Sequence, residues 1–452
     1  MSTERASACL LLAALLCGCG AEPPTLTLEV IPGHETDAFQ VDPPVTTWDV
    51  QVTGADGAVL ATASAAPAGA FDFGEIPANQ PLTLQVTGRD AGGAPIVRGR
   101  SLGGIYLAAV SGEVIPIFAQ RLGQWARPPG ELPATRVGAP AAPLAGRYLL
   151  LTGGEADPDE DPAGLLGYDL FTWQGSTGLP LPRPAGSLIS RGAALLVIDA
   201  AGASWIDYAT GSHGEVARPA GLASFAEITG GRTVVAPEGR AFVVGATRAG
   251  APTDAVLVLD TDGTLRAARL SAPRSEAAAA WIEGVGLLVA GGSATASGVE
   301  LLAPDAATAA PRAFPPDPTR GAAAVPDGFG DVVLVGGVLP DGAPSPTRQI
   351  DPACPTDCAA SALDAAALPA PLTGVTAFAL PGARILAVGE DTAPAALTRT
   401  FVIAPDAVTE LPLREPRAGA TVTPTPTGAF ALLGGRRPDG APALTVEMLL
   451  LE

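Results

Sequence analysis

The sequence of 452 residues has no lysine, only two histidines and few aromatic residues, which make up 5% of the chain. All 26 basic residues are therefore arginines, against 46 acidic residues, and the formal net charge at pH 7 is -20. Neutralising nucleic-acid phosphates requires a basic face, and no arginine run exceeds the pair Arg436 and Arg437. This charge balance excludes a general polyanion binder, so we expect no nucleic-acid partner.

The shortage of histidine also restricts catalysis. His34 and His213 are far apart in the sequence, and no Gly-x-Ser-x-Gly segment marks the nucleophile of a serine hydrolase. The sequence therefore gives no support to serine hydrolysis.

Glycine and proline, by contrast, are abundant, with 55 and 46 residues. They fall between short apolar runs, as turns do between short strands. Beyond the first twenty residues no amphipathic helical period is sustained over three or four turns. The sequence therefore predicts an all-β protein and, at this length, two folded units.

The first residues have the plan of an export signal. An apolar run over residues 6–16 leads through Gly18 to Cys19, and leucine with small residues before a cysteine resembles the lipobox of bacterial lipoproteins. We expect Cys19 to carry the lipid and to be the chain's one membrane contact, since the apolar run is shorter than the ~20 residues that span a bilayer. Gly20 after it favours the outer membrane, facing the periplasm or the cell surface. An ordinary secretory signal is the alternative.

Two cysteines remain in the body of the chain once Cys9, Cys17 and Cys19 are assigned to the signal region. These are Cys354 and Cys358. In an oxidising compartment two such thiols are more simply a disulfide than a metal site, because zinc needs about four ligands and no histidine is near in sequence. We predict a disulfide and no metal.

A repeat covers the C-terminal three quarters of the chain. Apolar strands that end in glycine recur, and the second copy ends in aspartate instead; the anchors are Gly153, Asp199, Gly245, Gly291, Gly336, Gly389 and Gly434. Successive anchors are 45 or 46 residues apart, except for one step of 53 that contains Cys354 and Cys358. A constant period of this length is typical of propeller blades.

Two further features accompany the anchors. An arginine stands sixteen or seventeen residues before five of them: Arg136, Arg183, Arg274, Arg320 and Arg417. Identical Asp-Gly turns, in residues 340–344 and 438–442, follow two of them and are typical of antiparallel hairpins.

Four strands per unit, a diglycine after the second strand and an arginine before the first resemble kelch repeats, as found in kelch proteins and in the central domain of galactose oxidase. The resemblance covers about residues 122–452 and implies a seven-bladed kelch-like β-propeller. The second unit departs from it by lacking diglycine, and most units lack the tyrosine of the kelch third strand. Because the last repeat has three strands, we expect residues 122–128 to supply the fourth and close the ring.

Residues 25–121 contain strands of another kind, in which apolar and polar positions alternate. This pattern generically resembles a small immunoglobulin-like or transthyretin-like β-sandwich. The predicted order is a signal peptide over residues 1–18, a tether over 19–24, the β-sandwich over 25–121 and the propeller over 122–452.

The kelch resemblance implies a role for the five arginines. In kelch proteins arginines near the start of the first strands line the ring mouth, so these five would form a positive centre for an acidic peptide or glycan, on the face of the diglycine loops. The alternative is structural, with each arginine paired to a carboxylate or a strand-end carbonyl. A copper centre like that of galactose oxidase needs two histidines and two tyrosines with a cysteine, a set this chain cannot assemble, so we expect no cofactor.

These observations favour a non-enzymatic ligand- or protein-binding propeller on the bacterial envelope, with an envelope protein or an acidic peptide or glycan as partner. A carbohydrate-active enzyme with paired carboxylates on the propeller face is the alternative, although no pair is marked out by spacing. The acidic residues within 155–161 would suit either a solvated loop or calcium.

Overall fold

The computed structural model describes residues 26–77, 79–110, 112–245, 247–248 and 251–452. The predicted signal peptide, the tether and Cys19 lie outside these residues. The described part is almost entirely β-structure, with one short helix, α1 (Leu107–Val110), and two 3-10 turns, Phe225–Glu227 and Asp364–Ala366. It contains no helix that is both long and apolar enough to cross a membrane. The predicted all-β class is confirmed.

The N-terminal strands form one hydrogen-bonded sheet in the order β1, β7, β5, β4, β2 and β3, with β6 paired to β4. Their bounds are β1 (Thr27–Ile31), β2 (Thr47–Gly54), β3 (Val59–Ala65), β4 (Pro81–Arg89), β5 (Pro95–Arg100), β6 (Ile105–Tyr106) and β7 (Val114–Arg121). Alternate residues such as Trp48, Val50 and Val52 point into one apolar core. These strands are β-structure, as predicted, and hydrogen bonds join them in one sheet; the immunoglobulin-like or transthyretin-like sandwich stays a prediction.

Seven larger sheets follow, one for each repeat, and together they form a seven-bladed β-propeller. After β8 (Gln124–Ala126), blade 1 contains β9 (Ala141–Leu144), β10 (Tyr148–Leu151), β11 (Gly164–Asp169) and β12 (Gln174–Pro180), and blade 2 contains β13 (Ser187–Arg191), β14 (Ala194–Ile198), β15 (Ala203–Asp207) and β16 (His213–Glu215). Blade 3 contains β17 (Arg232–Val235), β18 (Ala241–Val244), β19 (Thr247–Arg248), β20 (Ala251–Leu259) and β21 (Leu265–Arg274). Blade 4 contains β22 (Ala278–Ile282), β23 (Gly286–Ala290), β25 (Val299–Leu302) and β26 (Ala310–Pro311), while β24 (Ser293–Ser297) and β27 (Pro316–Asp317) form a separate two-stranded sheet. Blade 5 contains β28 (Ala323–Pro326), β29 (Val332–Val335), β30 (Arg348–Ile350) and β31 (Ser361–Ala362), and blade 6 contains β32 (Leu372–Leu380), β33 (Arg384–Asp391), β34 (Thr398–Ala404) and β35 (Ala407–Glu410). Blade 7 contains β36 (Thr421–Pro424), β37 (Phe430–Leu433), β38 (Glu447–Leu450) and, at its outer edge, β8.

The second strands explain the apolar runs in the sequence. Strands β18, β23 and β29 are buried along their whole length. Their side chains enter the apolar clusters that each blade shares with its neighbours on either side. A strand covered on both faces is apolar throughout instead of alternating, so these runs are the expected signature of packed blades.

The diglycines are required where one blade meets the next. Gly291 and Gly292 have φ angles of +74° and +75°, and a Cβ atom on Gly292 would lie 2.6 Å from the carbonyl oxygen of Ser275. The N–H of Gly292 donates to the carbonyl of Thr319, just before blade 5, at 2.8 Å. Left-handed backbone in such close contact with a neighbouring chain favours glycine. This explains why diglycines recur at the same position of the repeats.

The ring closes as the sequence predicts. Strand β8 pairs with β38, so that residues near the start of the propeller complete its last blade. Trp125 on β8 is buried, and its indole Nε1 donates to Thr400 Oγ1 of blade 6 at 2.9 Å.

The N-terminal sheet packs against blades 1 and 7. Trp173, in the turn between β11 and β12, lies against Phe118 with ring centroids 5.4 Å apart. Its indole Nε1 donates to the carbonyl of Pro116 at 3.3 Å, and Glu35 forms an ion pair with Arg127 at 2.8 Å. Turns after first and third strands emerge on the same side of a blade, so the sheet covers part of the face opposite the diglycines.

The insertion in blade 5 holds the predicted disulfide. Cys354 and Cys358 are bonded, with an S–S distance of 2.16 Å. Cys358 is buried, and its N–H donates to the carbonyl of Ala313 at 3.2 Å. The disulfide thus belongs to the long repeat and lies against the chain that leaves blade 4.

Candidate functional site on the diglycine face

The segments that lead into the first strands and the loops that follow the second strands meet at one face of the propeller. Backbone bridges join them in three blades: Val137 to Glu155, Arg320 to Val338 and Ala418 to Arg436. This surface, called the diglycine face here, carries the repeated arginines, as the alternation of strand direction predicts.

Arg274 leads into blade 4 and is fully buried. Its Nε and Nη2 atoms donate to one carboxylate oxygen of Glu300 at 2.8 and 2.6 Å, and its Nη1 atom donates to the carbonyl of Gly291 at 2.6 Å. Glu300 lies on the third strand, β25, and is buried as well. The pair ties the start of the blade to its third strand and leaves the guanidinium inaccessible to a ligand.

Arg417 repeats this arrangement in blade 7. Its Nη2 atom lies 2.9 Å from carboxylate oxygens of both Glu447, on β38, and Glu415, and its Nη1 atom donates to the carbonyl of Thr445 at 2.7 Å. Burial lowers the pKa of Arg417 and raises the pKa of Glu447, and the attraction between the two charges opposes both shifts. Arg417 is also closed to ligands.

Arg136 and Arg183 have partners within their own blades too. Buried Arg136 forms an ion pair with Glu160 and donates to the carbonyl of Asp161 at 2.8 Å. Half-buried Arg183 lies 3.1 Å from Asp199, the residue that replaces the diglycine of the second repeat. Burial lowers the pKa of Arg183, but hydrogen bonds to its carboxylate partners outweigh that effect and raise the pKa above its usual value.

In blade 5 the third strand carries an arginine at the position where blades 4 and 7 have a glutamate. Glu300 and Glu447 face the residue two positions before the diglycine, and in blade 5 the equivalent position on β30 is Arg348. Arg348 pairs with Asp317 at 3.0 Å. Arg320, which leads into the blade, is exposed and forms no ion pair with any residue the structure describes. Of the five predicted arginines, Arg320 is thus open to solvent, whereas the contacts of the other four support the structural alternative.

An arginine at the centre of the ring is not among the predicted site residues. Arg232, at the start of β17 in blade 3, donates to carbonyls of three other blades: Ala277 at 3.3 Å, Val375 at 2.9 Å and Ala322 at 2.9 Å. These carbonyls all lie near the diglycine-face ends of first strands, so the guanidinium crosses the mouth of the central channel. The other repeats have no arginine at the equivalent position. The spacing of the repeats therefore could not identify Arg232 as a site residue.

The charge on Arg232 lacks a bonded counterion among the described residues. Burial lowers the pKa of Arg232 to about 10, and the exposed Glu276 raises it without forming an ion pair. The guanidinium therefore stays protonated at neutral pH. Three of its five N–H groups are bonded to neutral carbonyls, so the mouth of the channel carries a positive charge.

The acidic loop over residues 155–161 is tied down by arginines. Asp157 lies 2.5 Å from Arg436, and Glu160 pairs with Arg136. Across the described part of the chain, no group of three or more histidine, cysteine, aspartate or glutamate side chains is arranged to hold a metal ion. Asp157 and Glu160 thus serve as ion-pair partners of arginines in this structure.

Comparison with known proteins adds no family. No family model matches the chain, and no curated protein matches it. Among solved structures, one described as the structure of YjhT is 12% identical, with a TM-score of 0.39, over 70% of this chain and 95% of that one. A chain of a mitotic checkpoint complex is 11% identical, with a TM-score of 0.44, over 73% of this chain and 95% of that one. Both scores are low, so the propeller architecture stands on the chain's own seven sheets.

Proposed function

We propose that this protein is a non-enzymatic binding propeller, displayed on the bacterial outer membrane through a lipid on Cys19, and that it takes an acidic ligand at the mouth of the channel on the diglycine face. We also propose that the repeat is kelch-like, since its diglycines and the arginines before its first strands form that face.

The observation that carries the proposal is the protonated guanidinium of Arg232 in the channel mouth. A cation held by neutral carbonyls inside a protein of net charge -20 favours a carboxylate or sulfate from outside. Arg320 supplies a second positive charge, since it lies two residues before Ala322, a carbonyl partner of Arg232. An acidic peptide or glycan would meet both charges.

The enzyme alternative finds weaker support in the geometry. Glu415 and Glu447 are both bonded to Nη2 of Arg417, which brings two carboxylates together. Glu447, however, is fully buried and also accepts the backbone N–H groups of Arg414 and Glu415. A carboxylate saturated by donors and closed to solvent is poorly placed to transfer a proton to a sugar.

The test uses the full mature chain with Cys19→Ser on an array of glycans and acidic peptides. We expect the bound probes to carry carboxylates or sulfates and to be recovered intact. Arg320→Gln should weaken binding about tenfold, as expected for loss of a charge-assisted contact, without changing the melting temperature. Arg232→Lys, which keeps the charge but not the planar fork, should weaken it less.

Recovery of cleaved glycans would favour the enzyme. Binding of neutral probes that is unaffected by Arg320→Gln would remove the acidic-ligand proposal.

A further inference from the structure

A cleft of about 550 Å³ opens on the face opposite the diglycines. It lies between three neighbouring hairpins, each of which joins the first and second strands of blade 3, 4 or 5. Its lining includes Val234, Val235, Trp281, Ile282, Pro326 and Asp331. Trp281 stacks on Phe242 with ring centroids 5.5 Å apart, which fixes the floor of the cleft.

Each of the three hairpins exposes a large apolar side chain. Phe329, at the tip of the blade 5 hairpin, is 86% exposed, and Val235 and Val285, on the hairpins of blades 3 and 4, are 56% and 39% exposed. Single exposed apolar residues are ordinary, but one on each of three adjacent hairpins around a cleft is typical of an interaction surface.

The hairpin that presents Phe329 is held by its own hydrogen bonds. Asp327 Oδ1 accepts the backbone N–H groups of Phe329 at 2.7 Å and of Asp331 at 3.1 Å. From β30, Gln349 Nε2 donates to Asp331 Oδ2 at 2.7 Å. A phenyl ring on such an ordered base loses little conformational freedom on binding, as an interface anchor should.

The three exposed apolar residues, Val235, Val285 and Phe329, form an apolar patch with an acidic border. Glu238 and Glu283 are exposed on the same hairpins as Val235 and Val285, and neither forms an ion pair with a described residue. Arg240, which is close in sequence to Glu238, is paired with Asp260 at 3.2 Å and Asp305 at 3.4 Å. The border therefore repels anionic lipid headgroups and a second copy of this acidic chain, and it attracts a basic partner.

We infer that this cleft docks a protein partner that inserts an apolar side chain beside Phe329 and surrounds it with lysines or arginines. An apolar centre with a charged border is the usual anatomy of a protein interface. The surface is separate from the acidic-ligand site, because it lies at the other end of the propeller and uses none of the arginines at the channel mouth.

The test selects peptides from a random phage-displayed library on the full mature chain with Cys19→Ser. We expect the selected peptides to combine an aromatic or large aliphatic residue with several lysines or arginines. As synthetic peptides they should bind about tenfold or more weakly to Phe329→Ser, as expected for an interface anchor. Glu238→Gln with Glu283→Gln should reduce both the affinity and its dependence on salt.

Tyr106→Ser is the matched control, since Tyr106 is an exposed aromatic residue of the N-terminal sheet. It should bind the peptides like the unmodified chain, and so should Arg320→Gln. Phe329→Ser should in turn keep the binding of acidic probes.

Four results would overturn the inference. The first two are selection of peptides that is no better than on Phe329→Ser, and selected peptides that are acidic. The third is association of the chain with phosphatidylcholine and phosphatidylglycerol vesicles that Phe329→Ser abolishes. The fourth is a dimer in sedimentation that Phe329→Ser dissociates. The last two would assign the cleft to a lipid surface or to a second copy.

Discussion

In blades 4 and 7 the arginine that opens the blade meets a glutamate on the third strand, whereas in blade 5 the same strand position is Arg348. Arg274 and Arg417 are consequently drawn into the blade, and Arg320 stays in solvent. Three residues with one sequence signature thus have two environments, and the residue across the sheet decides between them.

This difference predicts unequal effects of one substitution at equivalent positions. Arg274→Gln removes one member of a buried ion pair and leaves the buried carboxyl group of Glu300 without its partner, which should cost about 3–5 kcal/mol of unfolding free energy. Arg320→Gln, in solvent, should change it by less than about 0.5 kcal/mol. Chemical denaturation of both variants measures the difference. Equal losses in the two would show that the ion pair with Glu300 does not stabilise blade 4.

At the scale of the element, ring closure depends on the three residues of β8. Trp125 is one of the largest fully buried side chains of the described chain, and it also donates a hydrogen bond to Thr400 in the neighbouring blade. Trp125→Ala should therefore destabilise the propeller by about 3–5 kcal/mol, the usual cost of a large cavity. The half-buried Trp281 is the control, and Trp281→Ala should cost less. Thermal unfolding of both variants is the measurement, and a larger loss for Trp281→Ala would argue against closure by β8.

The disulfide in blade 5 gives a second prediction for an element. Because Cys354 and Cys358 are bonded, both should resist alkylation in protein recovered from cells without reductant. The closed loop is short, so replacing both by serine should cost only about 2 kcal/mol. Mass spectrometry after alkylation tests the bond, and two freely alkylated cysteines would contradict it.

The blades could be predicted from sequence because their requirements are local. An apolar second strand and a following glycine pair such as Gly291 and Gly292 lie within a few residues of each other, and their spacing repeats. The environment of Arg274 could not be predicted, since Glu300 lies 26 residues later and Arg348 replaces it in blade 5. The environment of Arg232 is made by carbonyls from three other blades, and the spacing of residues in the sequence does not reveal such contacts.

At the scale of the whole molecule, the position of the N-terminal sheet orients the propeller. The sheet contacts Trp173, in a turn on the side away from the diglycines, and Arg127, at the outer edge of blade 7. Leu26 packs against the core of that sheet. Leu26 is seven residues after Cys19, a reach of about 25 Å when the chain is extended. A lipid on Cys19 would therefore hold the chain close to the membrane, with the diglycine face directed outward.

The lipid anchor is tested by Cys19→Ala. Two acyl chains on one cysteine are enough for stable membrane attachment, since each buried methylene contributes about 0.8 kcal/mol. We expect the unmodified chain in the membrane fraction after a high-salt wash and Cys19→Ala in the soluble fraction. Cys17→Ala, which keeps Cys19, is the control and should stay with the membrane. The wash removes proteins held by charge alone, so a Cys19→Ala variant that still sediments with membranes would show that the attachment does not depend on this cysteine.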